Sequence, residues 1–521
     1  MFKRFLRSTS GNFAMTLALA SPAVLFAVGF AIDVTNMMSA KSDLQASLDA
    51  AVMAASRIGA TDVSRTDTFD RFFASNVAGK NLLRDPTATI TVNETLVDIR
   101  NVATAQSHVD LNFMPFFKVD PLIKVTAVAF ESRKNVEVAL VLDNTGSMGE
   151  ARMKSLRDAA SSLVDTLKGM QGSGVSGRKV RAALVPFVTA VNIKGENYKE
   201  DWIDKNGGNS LNGVHFDPVD GKRPDQLAMF NRLNVEWKGC VEARPAPYNL
   251  DDTAPDKTKP ETLFVPYFAP DEPGDKTAPG NDASAFNNSY LADAAPKTNK
   301  PNSEDLAKQV KEQRNAAKYN GTTLKNIVAT PPLTNGPNRA CATPIAPLTE
   351  DLDSLKTQIG KMTYWNGSGT NVSEGLAWGW RVLSPGEPYT QGQPFDDVHV
   401  SKWVVVFTDG TNEVFGANDT TLNKSDYGSY GFLADNRMLT TDKGRAVTQV
   451  NTWTSTMCTE LKKQNVQIFT ILLGADSAAN RKLYGDCASK PEYYFGTNDP
   501  TKLKAIFGNI ASIIAKLQFT G

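Results

Sequence analysis

Residues 135–149 read NVEVALVLDNTGSMG, and the architecture of the chain can be worked out from this stretch. Its first half, residues 136–142, is apolar except for Glu137, a pattern of the kind found in strands buried on both faces of a parallel sheet. The run stops at Asp143, and oxygen-bearing side chains then alternate at Asp143, Thr145 and Ser147. A loop leaving a strand can turn all three toward one point. Oxygen ligands with room for water suit a hard cation such as Mg²⁺, so the stretch predicts a strand ending in a metal site.

Two later stretches have the same character. Residues 365–380, WNGSGTNVSEGLAWGW, place Thr370 after a glycine-rich turn and before a predicted helix. Residues 402–410, KWVVVFTDG, form a second apolar strand that ends at Thr408 and Asp409. Ligands in open α/β sheets gather at the carboxyl ends of the strands, which is where these loops are expected.

The spacing Asp-x-Thr-x-Ser resembles the Asp-x-Ser-x-Ser element of the von Willebrand factor A (vWA) domain, with Thr145 at the position of a serine. That family completes a metal-ion-dependent adhesion site (MIDAS) with a threonine and an aspartate from later loops, which the resemblance assigns to Thr370 and Asp409. It implies an α/β fold with a doubly wound, mainly parallel sheet. The implied cation is Mg²⁺, with Mn²⁺ or Ca²⁺ as alternatives. The simpler interpretation is a polar turn between a strand and a helix in another α/β protein.

The N-terminal segment predicts a membrane anchor. Lys3, Arg4 and Arg7 precede twenty uncharged residues, 13–32. A helix of that length rises about 30 Å, enough to cross the hydrocarbon core of a bilayer. The basic flank is expected to stay in the cytoplasm and the rest of the chain to be exported. A cleaved secretory signal is the alternative, because small residues near Ala18 to Ala20 could mimic a cleavage site.

Residues 33–57 continue as a predicted helix, with apolar side chains at helical spacing. The segment resembles the amino-terminal part of TadE/TadG-like proteins of the tight-adherence (Flp) pilus assembly system. The shared features are Arg7, Gly11, Pro22, Asp33 and the run LQASLDAA at 44–51. The resemblance implies a TadG-like pilus assembly protein, single-pass in the bacterial inner membrane with its bulk in the periplasm. Pilin-like members carry Glu five residues after the cleavage-site glycine, whereas Thr16 stands there in this chain. An ordinary anchor with an alanine-rich stalk is the simpler alternative.

The length of 521 residues predicts two to four structural units. We expect a basic start, anchor and stalk helix over 1–57, a small β-rich segment over 58–133, and a vWA domain over 134–521. Residues 192–347 shift to a composition rich in Pro, Asp, Asn and Lys, and a structureless loop of this length would be implausible. We therefore predict an inserted subdomain there.

The four cysteines fall into two pairs along the chain. Cys240 and Cys341 lie in the predicted insertion, and Cys458 and Cys487 lie late in the vWA region. Four free thiols would suit a cytosolic protein, but the predicted export permits disulfides. This segregation predicts the bridges Cys240–Cys341 and Cys458–Cys487.

Composition and motifs argue against several functions. Lys+Arg and Asp+Glu both number 56, so no basic face for nucleic acid is indicated. The sequence has no GxxxxGK[ST] loop, GxSxG elbow or HExxH helix, and nothing indicates an enzyme. The favoured hypothesis is a membrane-anchored binding module of pilus assembly or adhesion. A partner protein or surface would bind to the metal through an acidic group. The alternative is an accessory subunit that docks a catalytic partner, as vWA proteins do for chelatases and some membrane proteases.

Overall fold

The computed structural model describes eleven stretches of the chain: residues 11–56, 62–94, 98–113, 121–132, 134–171, 178–274, 286–298, 300–320, 329–367, 369–416 and 421–516. The chain divides into two compact units. Among the described residues, one comprises those up to Lys134 together with 514–516, and the other comprises 135–171 and those from 178 to 513.

The N-terminal unit combines two helices with a three-stranded antiparallel sheet. The helices are α1 (Gly11–Ala55) and α2 (Asp62–Val77), and the strands β1 (Leu83–Glu94), β2 (Asp98–Val109) and β3 (Leu122–Ser132) pair in that order. Leu44, Leu48 and Val52 of α1 are buried in one core with alanine and valine side chains of the sheet. The anchor and β-rich segments that the sequence analysis separates therefore share one hydrophobic core.

The first part of α1 is a candidate membrane anchor. Within the described residues, one helix is long and apolar enough to cross a membrane, over Leu17–Ala55. Its apolar side chains are largely exposed as far as Ile32. The exposed stretch ends at Asp33, whose buried carboxylate accepts hydrogen bonds from the backbone N–H groups of Asn112 (3.0 Å) and Phe113 (2.7 Å). Asp33 thereby joins the helix to the loop that follows β2.

An eight-stranded sheet dominates the larger unit. Its strands are β4 (Asn135–Asp143), β5 (Val180–Phe187), β6 (Val191–Asn192), β7 (Cys240–Val241), β10 (Ala346–Thr349), β12 (Val400–Thr408), β14 (Gln467–Leu473) and β15 (Tyr494–Thr497). Two small ribbons lie outside it, one of β8 (Ala329–Thr330) and β9 (Leu333–Thr334) and one of β11 (Gly369–Thr370) and β13 (Glu413–Val414). The helices that follow in the chain are α3 (Gly149–Lys168), α4 (Gln226–Leu233), α5 (Ser303–Arg314), α6 (Leu352–Gly360), α7 (Val372–Leu383), α8 (Lys443–Lys463), α9 (Ala478–Cys487) and α10 (Leu503–Lys516).

The sheet is mixed, where the sequence predicts a mainly parallel one. The strands run in the order β15-β14-β12-β4-β5-β6-β7, with β10 paired beside β5. The five strands from β15 to β5 are parallel, and β6, β7 and β10 pair in the antiparallel sense. The chain reverses between Phe187 and Val191 without a crossover helix, and a reversal that short can only produce an antiparallel pair.

The inserted residues pack into the core of the larger unit. Trp202, Phe216 and Phe268 belong to the same buried cluster as Val141 and Val185 of the sheet. The insertion also supplies β7 and most of the aromatic contacts that surround Trp202 and Phe268. It is therefore integrated with the sheet rather than appended to it.

Both predicted disulfides are confirmed. Cys240 and Cys341 are bonded with Cα atoms 5.6 Å apart, and Cys458 and Cys487 are bonded with Cα atoms 5.1 Å apart. The first bridge joins β7 to the end of the insertion. The second ties α8 to the last residue of α9.

Candidate metal site

The first loop of the site begins at the last residue of β4. Asp143 is completely buried, and its Oδ1 accepts two hydrogen bonds from Thr145, from the backbone N–H (2.8 Å) and from Oγ1 (2.6 Å). The Thr145 hydroxyl also lies 3.0 Å from Oγ of Ser147. The loop then passes through a 3₁₀ turn, Gly146–Met148, into α3. The alternation of side chains predicted from the sequence thus brings all three oxygens together.

The second loop follows β12, which lies parallel to β4 and directly beside it. Asp409 comes immediately after this strand, and its Oδ1 accepts a hydrogen bond of 2.7 Å from Oγ of Ser147. Thr408, the last residue of β12, donates a hydrogen bond of 2.7 Å from Oγ1 to Oδ2 of Asp143. The structure therefore joins Asp143, Thr145, Ser147 and Asp409 into one cluster, with Thr408 as a member that the sequence pattern does not predict.

Thr370 lies at the same end of the sheet but outside this hydrogen-bonded cluster. It is buried in β11, which pairs with β13. The next residue, Asn371, donates its backbone N–H to the carbonyl of Val188 (3.0 Å), just after the end of β5. Among the described residues, no hydrogen bond joins the Thr370 hydroxyl to the other four predicted ligands. Its role as a ligand therefore stays a prediction.

A segment before Thr370 covers the first loop. The backbone N–H of Trp365 donates to the carbonyl of Asn144 (2.9 Å), and the Asn144 amide donates to the carbonyl of Thr363 (2.9 Å). A Cβ placed on Gly146 would lie 2.1 Å from Oδ1 of Asn366. Because Gly146 has no side chain, the segment that contains Asn366 can pack closely against the first loop.

Two carboxylates share a buried space, and that proximity has an electrostatic cost. Burial raises the pKa of Asp143 to about 7, and the negative charge of Asp409 adds to the rise, against hydrogen bonds from Thr145 and Thr408 that lower it. Arg152, in the first turn of α3, donates a hydrogen bond of 2.7 Å from Nη1 to Oδ2 of Asp409. Asp409 therefore has a cationic partner, whereas Asp143 is held by neutral donors.

The donor set suits a hard cation. The predicted ligands offer two carboxylates and three hydroxyls, all of them oxygen donors. Within the described ranges, no group of three or more His, Cys, Asp or Glu side chains is placed to hold a metal ion. An ion of the Mg²⁺ type, with water filling part of its shell, fits the oxygen donors present. The fold and this cluster define an α/β protein with an all-oxygen candidate site at the carboxyl end of its parallel strands.

The N-terminal segment matches a known family. Residues 11–62 match the model of the family described as Flp pilus-assembly TadE/G-like, which confirms the resemblance of this segment. The match covers α1 and ends at the start of α2. Among curated proteins, none is significantly similar to the chain.

Several solved structures show a distant likeness, and their sequence identities are about a tenth. They include the vWF domain of the type V pili tip protein Mfa5 from Porphyromonas gingivalis (11% identity, 74% of this chain, 97% of that chain, TM-score 0.32). The pilus adhesin RrgA from Streptococcus pneumoniae is another (11% identity, 83% of this chain, 50% of that chain, TM-score 0.34). Proximal thread matrix protein 1 from the mussel byssus is a third (11% identity, 75% of this chain, 48% of that chain, TM-score 0.29). The chain spans about half of the mussel protein and about a third of the pilus adhesin SpaC from Lactobacillus rhamnosus GG. At these TM-scores the likeness carries no argument about function.

Proposed function

We propose that this chain is a non-enzymatic, membrane-anchored binding protein of Flp pilus assembly or adhesion, and that it binds a partner through a divalent cation. The TadE/G-like match of residues 11–62 supports the pilus context, and the exposed apolar part of α1 supports an anchor in the inner membrane. In this proposal, the larger unit lies in the periplasm and carries the binding site.

One observation carries the proposal. The hydrogen bond between Ser147 and Asp409 joins two loops that are 262 residues apart in sequence. The two loops meet because β4 and β12 are neighbouring parallel strands that end at the same edge of the sheet. Oxygen side chains from separate loops thus converge where the vWA resemblance predicts a metal.

In the proposed mechanism, Asp143, Thr145, Ser147, Thr370 and Asp409 hold Mg²⁺, directly or through water. The bound ion would supply positive charge that attracts a carboxylate of the partner. Asp143 and Asp409 provide the negative charge of the site, and Thr145 and Thr408 hold the Asp143 carboxylate in place. The partner class is therefore a protein or surface that presents Asp, Glu or another acidic group.

A pull-down tests this function. The full-length protein, solubilised in detergent, is incubated with envelope proteins of its own bacterium in Mg²⁺ or in EDTA. We expect the parent protein to retain a pilus component in Mg²⁺ and to lose it in EDTA. The Asp143→Ala variant should not retain this component in either buffer. Asp158→Ala is the matched control, because Asp158 lies on the exposed face of α3 and pairs only with Lys154 among the described residues. Capture that EDTA and Asp143→Ala leave unchanged would contradict the proposal.

A further inference from the structure

Arg152 lies beside the candidate site and is not a ligand for a cation. Its guanidinium donates to Oδ2 of Asp409 at 2.7 Å, while Ser147 donates to the other oxygen, Oδ1. The Asp409 side chain has no exposed surface, whereas 41% of the Arg152 side chain is exposed. Arg152 thus reaches from the protein surface to a buried carboxylate.

This ion pair differs from an ordinary surface pair. Pairs between two exposed side chains stabilise a protein little, because water screens both charges. A carboxylate that is fully buried depends much more on its partner, since an uncompensated buried charge is costly. In the described part of the chain, Arg152 is the only side chain that forms an ion pair with Asp409, and Asp143 forms none.

Because the group beside Asp409 is an arginine, the Asp409 charge is neutralised at any physiological pH. A guanidinium does not lose its proton at physiological pH, so Arg152 stays cationic while it contacts Asp409. It therefore offsets part of the repulsion between Asp143 and Asp409 when no metal is bound. The same contact occupies an oxygen of one of the two carboxylates on which the proposed metal site depends.

We infer that Arg152 is a built-in counter-ion that competes with the divalent cation for Asp409 and so lowers the metal affinity of the site. This inference rests on the proposed function, because it needs a metal that binds at Asp409. If Arg152 acts as this counter-ion, the protein keeps its fold when no metal is bound. Metal binding then becomes an exchange of one cation for another rather than the filling of a highly charged cavity.

The variant Arg152→Gln removes the charge and keeps a side chain of moderate length at a half-buried helical position. Lys154→Gln is the matched control, because it removes one positive charge from the same turn of α3 and Lys154 pairs with Asp158 rather than with the site. Arg152→Lys keeps the charge and is expected to behave nearly as the parent does. The probe is Mg²⁺ alone, titrated calorimetrically into the full-length protein in detergent.

We expect Arg152→Gln to bind Mg²⁺ about tenfold more tightly than the parent, and Lys154→Gln to stay within about twofold of it. A second readout is thermal unfolding: Arg152→Gln should melt lower than the parent in EDTA and gain more from added Mg²⁺. If the parent binds Mg²⁺ and Arg152→Gln binds it equally well or more weakly, the competition is refuted and the metal site stands. If neither protein binds Mg²⁺, the proposed function fails and this inference fails with it.

Discussion

Thr408 donates a hydrogen bond of 2.7 Å from Oγ1 to Oδ2 of Asp143, although 265 positions separate the two residues in sequence. The bond crosses from the end of β12 to the end of β4, the two strands at the centre of the parallel part of the sheet. It fixes the buried carboxylate on the side that Thr145 does not reach, since both hydrogen bonds from Thr145 go to Oδ1.

Thr408→Val keeps the shape of the side chain but removes this donor. Leaving a buried carboxylate oxygen without its partner should lower the free energy of unfolding by about 1–3 kcal/mol. Thr408→Ser, which retains the hydroxyl, should lose much less. Chemical denaturation in EDTA measures both variants without any contribution from metal. Equal stability of Thr408→Val and the parent would show that the hydrogen bond contributes nothing.

A close contact holds α7, the helix after Thr370, against the sheet. A Cβ on Gly375 would lie 2.7 Å from a ring carbon of Phe187 and 3.0 Å from Val141. Gly375→Ala should therefore push α7 off the sheet and cost about 1–3 kcal/mol by overpacking. Gly360 at the end of α6 is the control, because a Cβ there meets nothing within 4 Å. Thermal melts that place Gly375→Ala at or above Gly360→Ala would argue against this close approach.

The two disulfides should differ in their contribution to stability. Cys240–Cys341 spans 101 residues and Cys458–Cys487 spans 29. By the chain-entropy model, the longer loop is worth about 4.7 kcal/mol and the shorter about 3.6 kcal/mol. Replacing each pair by serines should therefore destabilise the protein more at the first bridge, as measured by denaturant unfolding. A larger loss at Cys458–Cys487 would contradict this ranking.

Glu272 should make stability depend on pH. Burial raises its pKa to about 8, and the negative charge of Asp426 adds to the rise. Because the folded pKa lies above the ordinary value, the stabilising contribution of the protonated group is complete below about pH 4.5. It is lost as the pH rises through about 8, by at most about 1.4 kcal/mol for each pH unit.

Glu272→Gln removes this titration and keeps an oxygen that can accept the N–H of Asn288, which donates to Glu272 at 2.7 Å. The parent should lose stability relative to the variant between about pH 5 and about pH 9. The free energies of unfolding of the parent and of Glu272→Gln, measured across this pH range, test the expectation. Parallel pH profiles for the two proteins would show that the pKa of Glu272 is the same in the folded and the unfolded protein.

The sequence was informative where a pattern repeats or ends abruptly. The apolar runs before Asp143 and Asp409 predicted two buried strands, and the carboxyl ends of neighbouring parallel strands necessarily meet, so the two aspartates could be placed together. The disulfides could be paired because the cysteines are segregated along the chain. The N-terminal helix followed from twenty uncharged residues in a row.

Other features had no such pattern. Thr408 is indistinguishable in sequence from any β-branched residue of a buried strand. Arg152 looks like a solvated charge on the exposed face of a helix, and its contact depends on where Asp409 lies in space. The strands β6 and β7 have two residues each, too few to show the alternation of a strand, so the mixed character of the sheet was missed.

Calorimetric titration of Mg²⁺ into the full-length protein and its Asp143→Ala variant is the most direct test of the proposed metal site. Asp143→Ala removes a carboxylate and half of the negative charge of the site, and hydroxyls alone bind Mg²⁺ poorly. Thr145→Ser and Asp158→Ala, which keep the oxygen donors of the site, should bind as the parent does. We expect the parent to bind Mg²⁺ and Asp143→Ala to lose this binding while keeping its fold. Binding of Mg²⁺ by Asp143→Ala with the affinity of the parent would contradict the proposed metal site.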